Sequence, residues 1–160
     1  MPDFQIRPLT SADCDWVSRV VTTEWGSEIV VSHNKVFHPV DLPGFAAFIG
    51  DEPVGLVTYR ITRNECEIVT LNSWCEGRGV GAALIDAVRK IACLTGCRRL
   101  YLVTTNNNLS ALRFYKKRGF VISALRINAI ADSRKLKRQI PLLDEDGRAI
   151  RDEIELEIPL

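Results

Sequence analysis

The stretch Glu76-Gly77-Arg78-Gly79-Val80-Gly81-Ala82-Ala83-Leu84 sets three glycines in alternation with larger residues. It lies between a run with strand character and a run with helical character. A helix N-terminus presents unpaired N–H groups and the positive end of the helix dipole, so it binds phosphate well. Glycine lets the backbone approach such an anion and take conformations closed to other residues. The spacing selects among phosphate-bearing ligands. A Walker loop needs Gly-Lys-Ser/Thr after its second glycine, and Val80-Gly81-Ala82 stand there instead. A dinucleotide fingerprint needs Gly-x-Gly-x-x-Gly after the first strand of a parallel sheet. Here the spacing is Gly77-x-Gly79-x-Gly81, after three antiparallel-looking strands. The plainer alternative is a tight β–α turn with no ligand.

Other reactive residues narrow the chemistry further. The five cysteines, Cys14, Cys66, Cys75, Cys93 and Cys97, form no CxxC pair or Cys/His cluster, so neither a zinc site nor a disulfide framework is suggested. Free, reduced thiols in a cytoplasmic protein are the simplest account. Near the C-terminus Glu153, Glu155 and Glu157 alternate with Ile154, Leu156 and Ile158, which puts the three carboxylates on one strand face. A solvated face is the favoured reading; the functional one is an acidic wall that attracts a cationic amine.

The elements that must position these residues follow from periodicity. Residues 4–8 read as a short first strand, and Ser11 or Asp13 as the cap of a helix through about Thr23. Residues 25–44 carry two prolines, both histidines and Trp25, and read as loop plus a short helix. Three strands follow, "FAAFI", "VGLVTYRIT" and "ECEIVTL", the last two joined by a tight Arg63–Asn64 turn. A helix from Val80 to about Thr95 carries an apolar stripe of Val80, Leu84, Val88, Ile91 and Ala92, and Gly96 caps it. "RRLYLVTT" reads as a central strand apolar on both faces. Asn108 caps a helix through about Arg118. "FVISALRI" reads as a strand, "ADSRKLKR" as a basic helical turn, and "IPLL" with "DEIELEI" as a final hairpin. The order gives a mixed sheet with flanking helices in one domain, residues 1–160. Net charge is +1, which argues for neither nucleic acid nor an anionic membrane as partner. No apolar run is long enough to span a bilayer, and the first ten residues lack a signal-peptide pattern.

With these elements in place, the sequence resembles the GNAT superfamily of acetyl-CoA-dependent N-acetyltransferases. The phosphate loop of that family reads (Arg/Gln)-x-x-Gly-x-(Gly/Ala), often with glycine at the second place. Glu76 to Gly81 matches except at the first residue. A second family motif, Asn-x-x-Ala-x-x-x-Tyr-x-x-x-Gly-Phe, is met in full by Asn108, Ala111, Tyr115, Gly119 and Phe120. The resemblance is firm from Phe45 to Phe120. It implies a mixed α/β (α+β) fold: a mostly antiparallel twisted sheet of about six or seven strands with flanking helices and a splayed parallel pair at the cofactor site.

What the resemblance implies can be carried over residue by residue. The backbone of Val69, Thr70 and Leu71 would pair with pantetheine. The pyrophosphate of acetyl-CoA would sit on N–H groups of Gly77, Arg78, Gly79, Val80, Gly81 and Ala82, with the Arg78 side chain adding a charge-assisted contact. Glu76, where the family has arginine or glutamine, is expected to turn away, since a carboxylate beside a diphosphate is unfavourable. Asn108 would touch the cofactor arm as well as cap its helix. Tyr115 would protonate the departing thiolate. Glu67 is the candidate base, with Glu65 or a chain of waters as rivals; the plainer and favoured reading makes Glu67 a solvated strand residue or the cross-strand partner of an arginine such as Arg60. Trp25, His33 and Glu155 are candidates for the acceptor pocket, and Phe37 and His38 belong to the same loop. The implied activity is N-acetylation of a small primary amine, with acetyl-CoA as co-substrate and no metal. Acetylation of protein lysines or N-termini is the alternative within the class, and a catalytically idle acyl-CoA sensor the alternative outside it. Dimers are common in the family, so a homodimer is among the assemblies implied.

Overall fold

The computed structural model describes residues 3–160. Its strands are β1 (Gln5–Pro8), β2 (Val30–Ser32), β3 (Lys35–Phe37), β4 (Gly44–Ile49), β5 (Glu52–Thr62), β6 (Glu65–Ser73), β7 (Arg99–Thr105), β8 (Val121–Arg126) and β9 (Glu153–Pro159). Its helices are α1 (Cys14–Trp25), α2 (Val80–Leu94), α3 (Leu109–Lys117) and α4 (Ala129–Leu136). Seven strands form one sheet in the order β1-β4-β5-β6-β7-β9-β8. Every neighbouring pair is antiparallel except β6 and β7, which run parallel because α2 carries the chain across between them.

Helix α2 buries Val80, Leu84, Ile85, Val88 and Ala92, the stripe expected from its period with Ile85 added and Ile91 only half-buried. It seats directly on β5 at Gly55, where a Cβ would stand 2.7 Å from Val80 Cγ1 and 2.9 Å from Leu84 Cδ1. On the opposite face α1 packs Val17 and Val21 with Val30, Phe37, Leu56 and Val69 into a second core. The sheet is thus covered on both faces, and its central strands are buried.

Three sequence expectations are corrected. Residues 25–44 hold a β-hairpin, β2–β3, rather than plain loop, followed by a 3-10 turn at Pro39–Asp41. His33 (φ 50°) and Asn34 (φ 59°) form its two-residue loop, the same left-handed pair as Arg63 (φ 51°) and Asn64 (φ 62°) between β5 and β6. Such turns match the twist of the strands they join. "IPLL" does not pair with β9; it contributes only an isolated bridge, Leu143 with Ala149, because β9 is already flanked by β7 and β8. Strand β7 is apolar on one face only. Leu100 and Leu102 enter the core, while Arg99 and Tyr101 join a polar network on the other face. All five cysteines are free.

Candidate active site

The parallel ladder between β6 and β7 stops at Ile68 opposite Leu102. Beyond it β7 continues against β9, while β6 continues against β5. The two strands part like a fork, and the β7-facing edge of Val69, Thr70 and Leu71 has no strand partner. A bulge deepens the split: Thr58 faces Thr70 but Tyr59 faces Ile68, so Val69 is the extra residue, and a bulge bends its strand. The side chains there are structural. Val69 is buried under α1, and Thr70 shares a 2.7 Å hydroxyl contact with Thr58.

On the α2–α3 side the fork opens into a cavity of about 670 Å³ lined by Leu71, Gly77, Gly79, Val80, Gly81, Ala82, Asn108 and Tyr115. Gly77 (φ 75°) and Gly79 (φ 78°) are both left-handed, the conformation that favours glycine, and Gly79 leads straight into α2. The first N–H groups of a four-turn helix therefore end at the cavity. Gly81 serves packing instead. A Cβ there would meet the Phe114 ring at 3.0 Å, so its absence lets α3 close on α2. Asn108 accepts a hydrogen bond from the Ala111 N–H at 3.3 Å and also lines the cavity. Tyr115 is buried edge-on against Phe114 and Phe120, with ring centroids 5.2 and 5.5 Å away. Burial pushes its phenol pKa up and keeps the hydroxyl protonated.

Two expected roles around the loop are exchanged. Glu76 lines the cavity instead of turning away. The Arg78 side chain does not line it, because its guanidinium pairs with Asp3. The cation that does line it is Arg118, which sequence reasoning missed. Its Nη1 donates to the Phe114 carbonyl at 3.2 Å, it stacks over the Phe114 ring at 3.8 Å, and its buried Nε has no protein partner. A cationic guanidinium, a helix N-terminus and left-handed glycines suit a diphosphate; the single carboxylate at Glu76 does not.

Glu67 lies on the opposite face, one residue short of the fork. It is buried, accepts from Ser32 Oγ at 2.9 Å and Tyr101 Oη at 3.1 Å, and lines a smaller hollow of about 310 Å³. Burial and the Glu67 charge push the Tyr101 pKa up, so that phenol is a fixed donor. Tyr101 and Ser32 are further residues that the sequence did not mark. Glu65, the rival base, is bound instead by Arg99 and Arg98, whose hydrogen bonds hold its carboxyl below the usual range. Arg60, a sequence candidate for pairing with Glu67, does not bond to it: its Nε donates to Thr62.

The acceptor-pocket candidates sit one layer back. His33 stacks on Tyr101 at 6.2 Å and 15°, its backbone N–H donates to Glu153 Oε2 at 3.1 Å, and its ring Nε2 contacts Arg126 and lies 3.5 Å from Glu155 Oε1. Burial first, and Arg126 second, push its pKa down. Glu155 is buried rather than solvated. Burial raises its pKa, but hydrogen bonds from Ser123 at 2.6 Å and Arg99 at 3.0 Å outweigh that and hold the carboxyl below its usual value. Glu153 is buried too, so the favoured solvated-face reading fails for both residues. Trp25 ends α1, packs in the core beneath it, and lines neither cavity. Among the described residues no group of three or more His, Cys, Asp or Glu is arranged to hold a metal ion. No described helix is long and apolar enough to cross a membrane.

Chemically, the arrangement sets a protonated phenol on one side of a strand fork and a hydrogen-bonded carboxylate on the other. Comparison with known proteins places the chain in a family. Residues 13–120 match the model of the acetyltransferase (GNAT) family. The chain is 36% identical over 152 residues to the uncharacterized Bacillus subtilis protein YxbD, covering 94% of this chain and 96% of that one. It is 40% identical over 131 residues to the uncharacterized protein YdhI of the same organism, covering 81% and 82%. Among solved structures it is similar to the IAA acetyltransferase from Bacillus cereus, with TM-score 0.72, 21% identity, and coverage of 98% and 99%. It is also similar to a GNAT family acetyltransferase from Elizabethkingia anophelis with acetyl-CoA bound, with TM-score 0.70, 19% identity, and full coverage of both chains. At those identities the structural likeness speaks for the fold.

Proposed function

Because the chain belongs to the acetyltransferase (GNAT) family, we propose that it moves the acetyl group of acetyl-CoA to the primary amine of a small molecule by direct attack on the thioester. The observation that carries this reading is the fork above Ile68 and Leu102, with a glycine-rich helix start and Tyr115 on one face and Glu67 on the other. Amides of Gly77 to Ala82, with Arg118, hold the diphosphate. The open edge of Val69 to Leu71 offers backbone groups to the pantetheine arm, and Asn108 touches that arm. Arg78 is kept from the cavity only by an exposed pair with Asp3, worth less than about 1 kcal/mol, so a bound diphosphate can recruit it.

Glu67 takes the proton that the ammonium must lose before its nitrogen can attack. Each of its oxygens already accepts one hydroxyl and keeps a second lone pair for the amine. As the new C–N bond forms and the C–S bond breaks, Tyr115 gives its proton to the leaving sulfur, the nitrogen gives up its second proton to restore the phenol, and the proton on Glu67 passes to solvent. The products are the amide, free thiol and one proton released to solvent. Hairpin β2–β3 closes over Glu67 through Ser32, which supports a small acceptor over a peptide lying in an open groove.

The test follows thiol release from acetyl-CoA with a panel of primary amines, for wild type and Glu67→Gln. Turnover by wild type, reduced at least about a hundredfold in the variant at neutral pH, is expected. Acetyl-CoA binding with no turnover of any amine would instead mark a sensor module.

A further inference from the structure

The hollow beside Glu67 is lined by three cations as well as by carboxylates. Lys35 of β3, Arg60 of β5 and Arg63 of the β5–β6 turn line it together with Glu67 and Tyr101. Its remaining carboxylate, Glu65, is bound by Arg98 and Arg99. Arg60 and Glu67 stand directly opposite each other on neighbouring strands. Opposite charges so placed ordinarily join across the strands. Here they do not. Arg60 is braced by the Thr62 hydroxyl at 2.8 Å and lies over the Phe37 ring at 5.3 Å, while Glu67 is braced by Ser32 and Tyr101. Among the described residues Lys35, Arg60 and Arg63 take part in no ion pair. Arg60 and Glu67 are therefore each braced by their own neighbours in a hollow of about 310 Å³, at the small end of ligand sites.

We infer that the acceptor is a small amine that also carries an oxyanion, a carboxylate in the simplest case, with its nitrogen at Glu67 and its oxyanion on Arg60 between Lys35 and Arg63. The assignment of the nitrogen to Glu67 rests on the transferase reading above. The guanidinium of Arg60 keeps its outer N–H groups free, a geometry that grips a carboxylate through two parallel bonds. A zwitterion satisfies Glu67 and Arg60 at once. A polyamine would set a second cation against three side chains of its own sign, and a plain alkylamine would leave them facing apolar surface.

The experiment compares matched acceptors: ω-amino acids of two to five carbons, their methyl esters, and aminoalkyl phosphates of the same lengths, with acetyl-CoA and thiol release as readout. The free acid or the phosphate should exceed the ester in kcat/KM by about ten- to a hundredfold, the worth of a hydrogen bond to a charged group. Arg60→Gln should bring that ratio close to one. Arg63→Ala, at an exposed turn, should lower it by a smaller factor, which guards against misfolding in the first variant. Calorimetry on the CoA-saturated protein, with the hydroxy acid that matches the best substrate, should give binding to wild type that Arg60→Gln loses. Equal use of acids and esters, or a ratio untouched by Arg60→Gln, overturns this inference and leaves the transferase standing. Turnover of no amine by a protein that binds acetyl-CoA overturns both.

Discussion

Tyr115 and Glu67 each owe their chemistry to their surroundings. Tyr115 is walled by Phe114 and Phe120, which raises the cost of the phenolate and keeps the hydroxyl protonated, as the proposed transfer requires. Tyr115→Phe keeps that packing and removes only the hydroxyl, so kcat should fall about a hundredfold while the Kd for acetyl-CoA, read by calorimetry, stays put. Glu76 makes the opposite kind of case. It lines the cavity proposed for the diphosphate and would repel that group there, so Glu76→Gln should tighten CoA binding about three- to fivefold, the worth of one solvent-screened charge contact. Asn108 and Tyr115 are legible in the sequence because their spacing on one helix fixes what they face. Arg118 is equally close in the chain, yet its place over the Phe114 ring depends on how α3 meets α2, which no spacing states.

At the level of elements, the glycine loop and the fork answer different questions. Gly79 holds a left-handed φ of 78° with open space around a would-be Cβ, so Gly79→Val strains the backbone by about 1–2 kcal/mol without a clash. The variant should stay folded by circular dichroism and lose CoA affinity, since a branched side chain then stands where phosphate must approach. Gly55 shows the contrast. Gly55→Val drives into Val80 and Leu84 and should cost about 1–3 kcal/mol by lifting α2 from the sheet, seen as a lowered denaturation midpoint. The β5–β6 turn was readable from Arg63–Asn64. The β2–β3 turn carries the same signal in His33–Asn34, between "VVS" and "KVF", but strands of three residues are too short for alternation to register.

Across the whole molecule, the polar layer behind the acceptor side joins β2, β6, β7, β8 and β9. Arg99 alone reaches Glu65, Glu155 and Glu157, the last at 2.7 Å. Arg99→Met leaves the buried Glu155 without its main cation and should cost about 3 kcal/mol, or roughly 6–12 °C in Tm. At the other edge, Asp13 ties α1 to β1 by accepting two bonds from Arg7, at 2.8 and 2.9 Å, and one from the Thr10 N–H, at 2.8 Å. The Arg7 hydrogen bonds come first, and together these contacts lower its carboxyl from 3.8 to about 2. Its contribution, roughly 1–2 kcal/mol after allowing for the exposure of Arg7, is whole above about pH 4 and disappears as pH falls toward 2. Asp13→Asn should therefore flatten the acid limb of a stability–pH curve measured in urea. By itself the sequence determined the glycine loop, the Asn–Tyr helix, the order of the main elements and, through them, the family. Each of those depends on residues within a turn or two of one another. Only the tertiary structure decided where β6 leaves β7 and that Glu153 and Glu155 are buried. Those depend on register between strands far apart in the chain, and a one-residue slip would turn every one of these side chains to the other face.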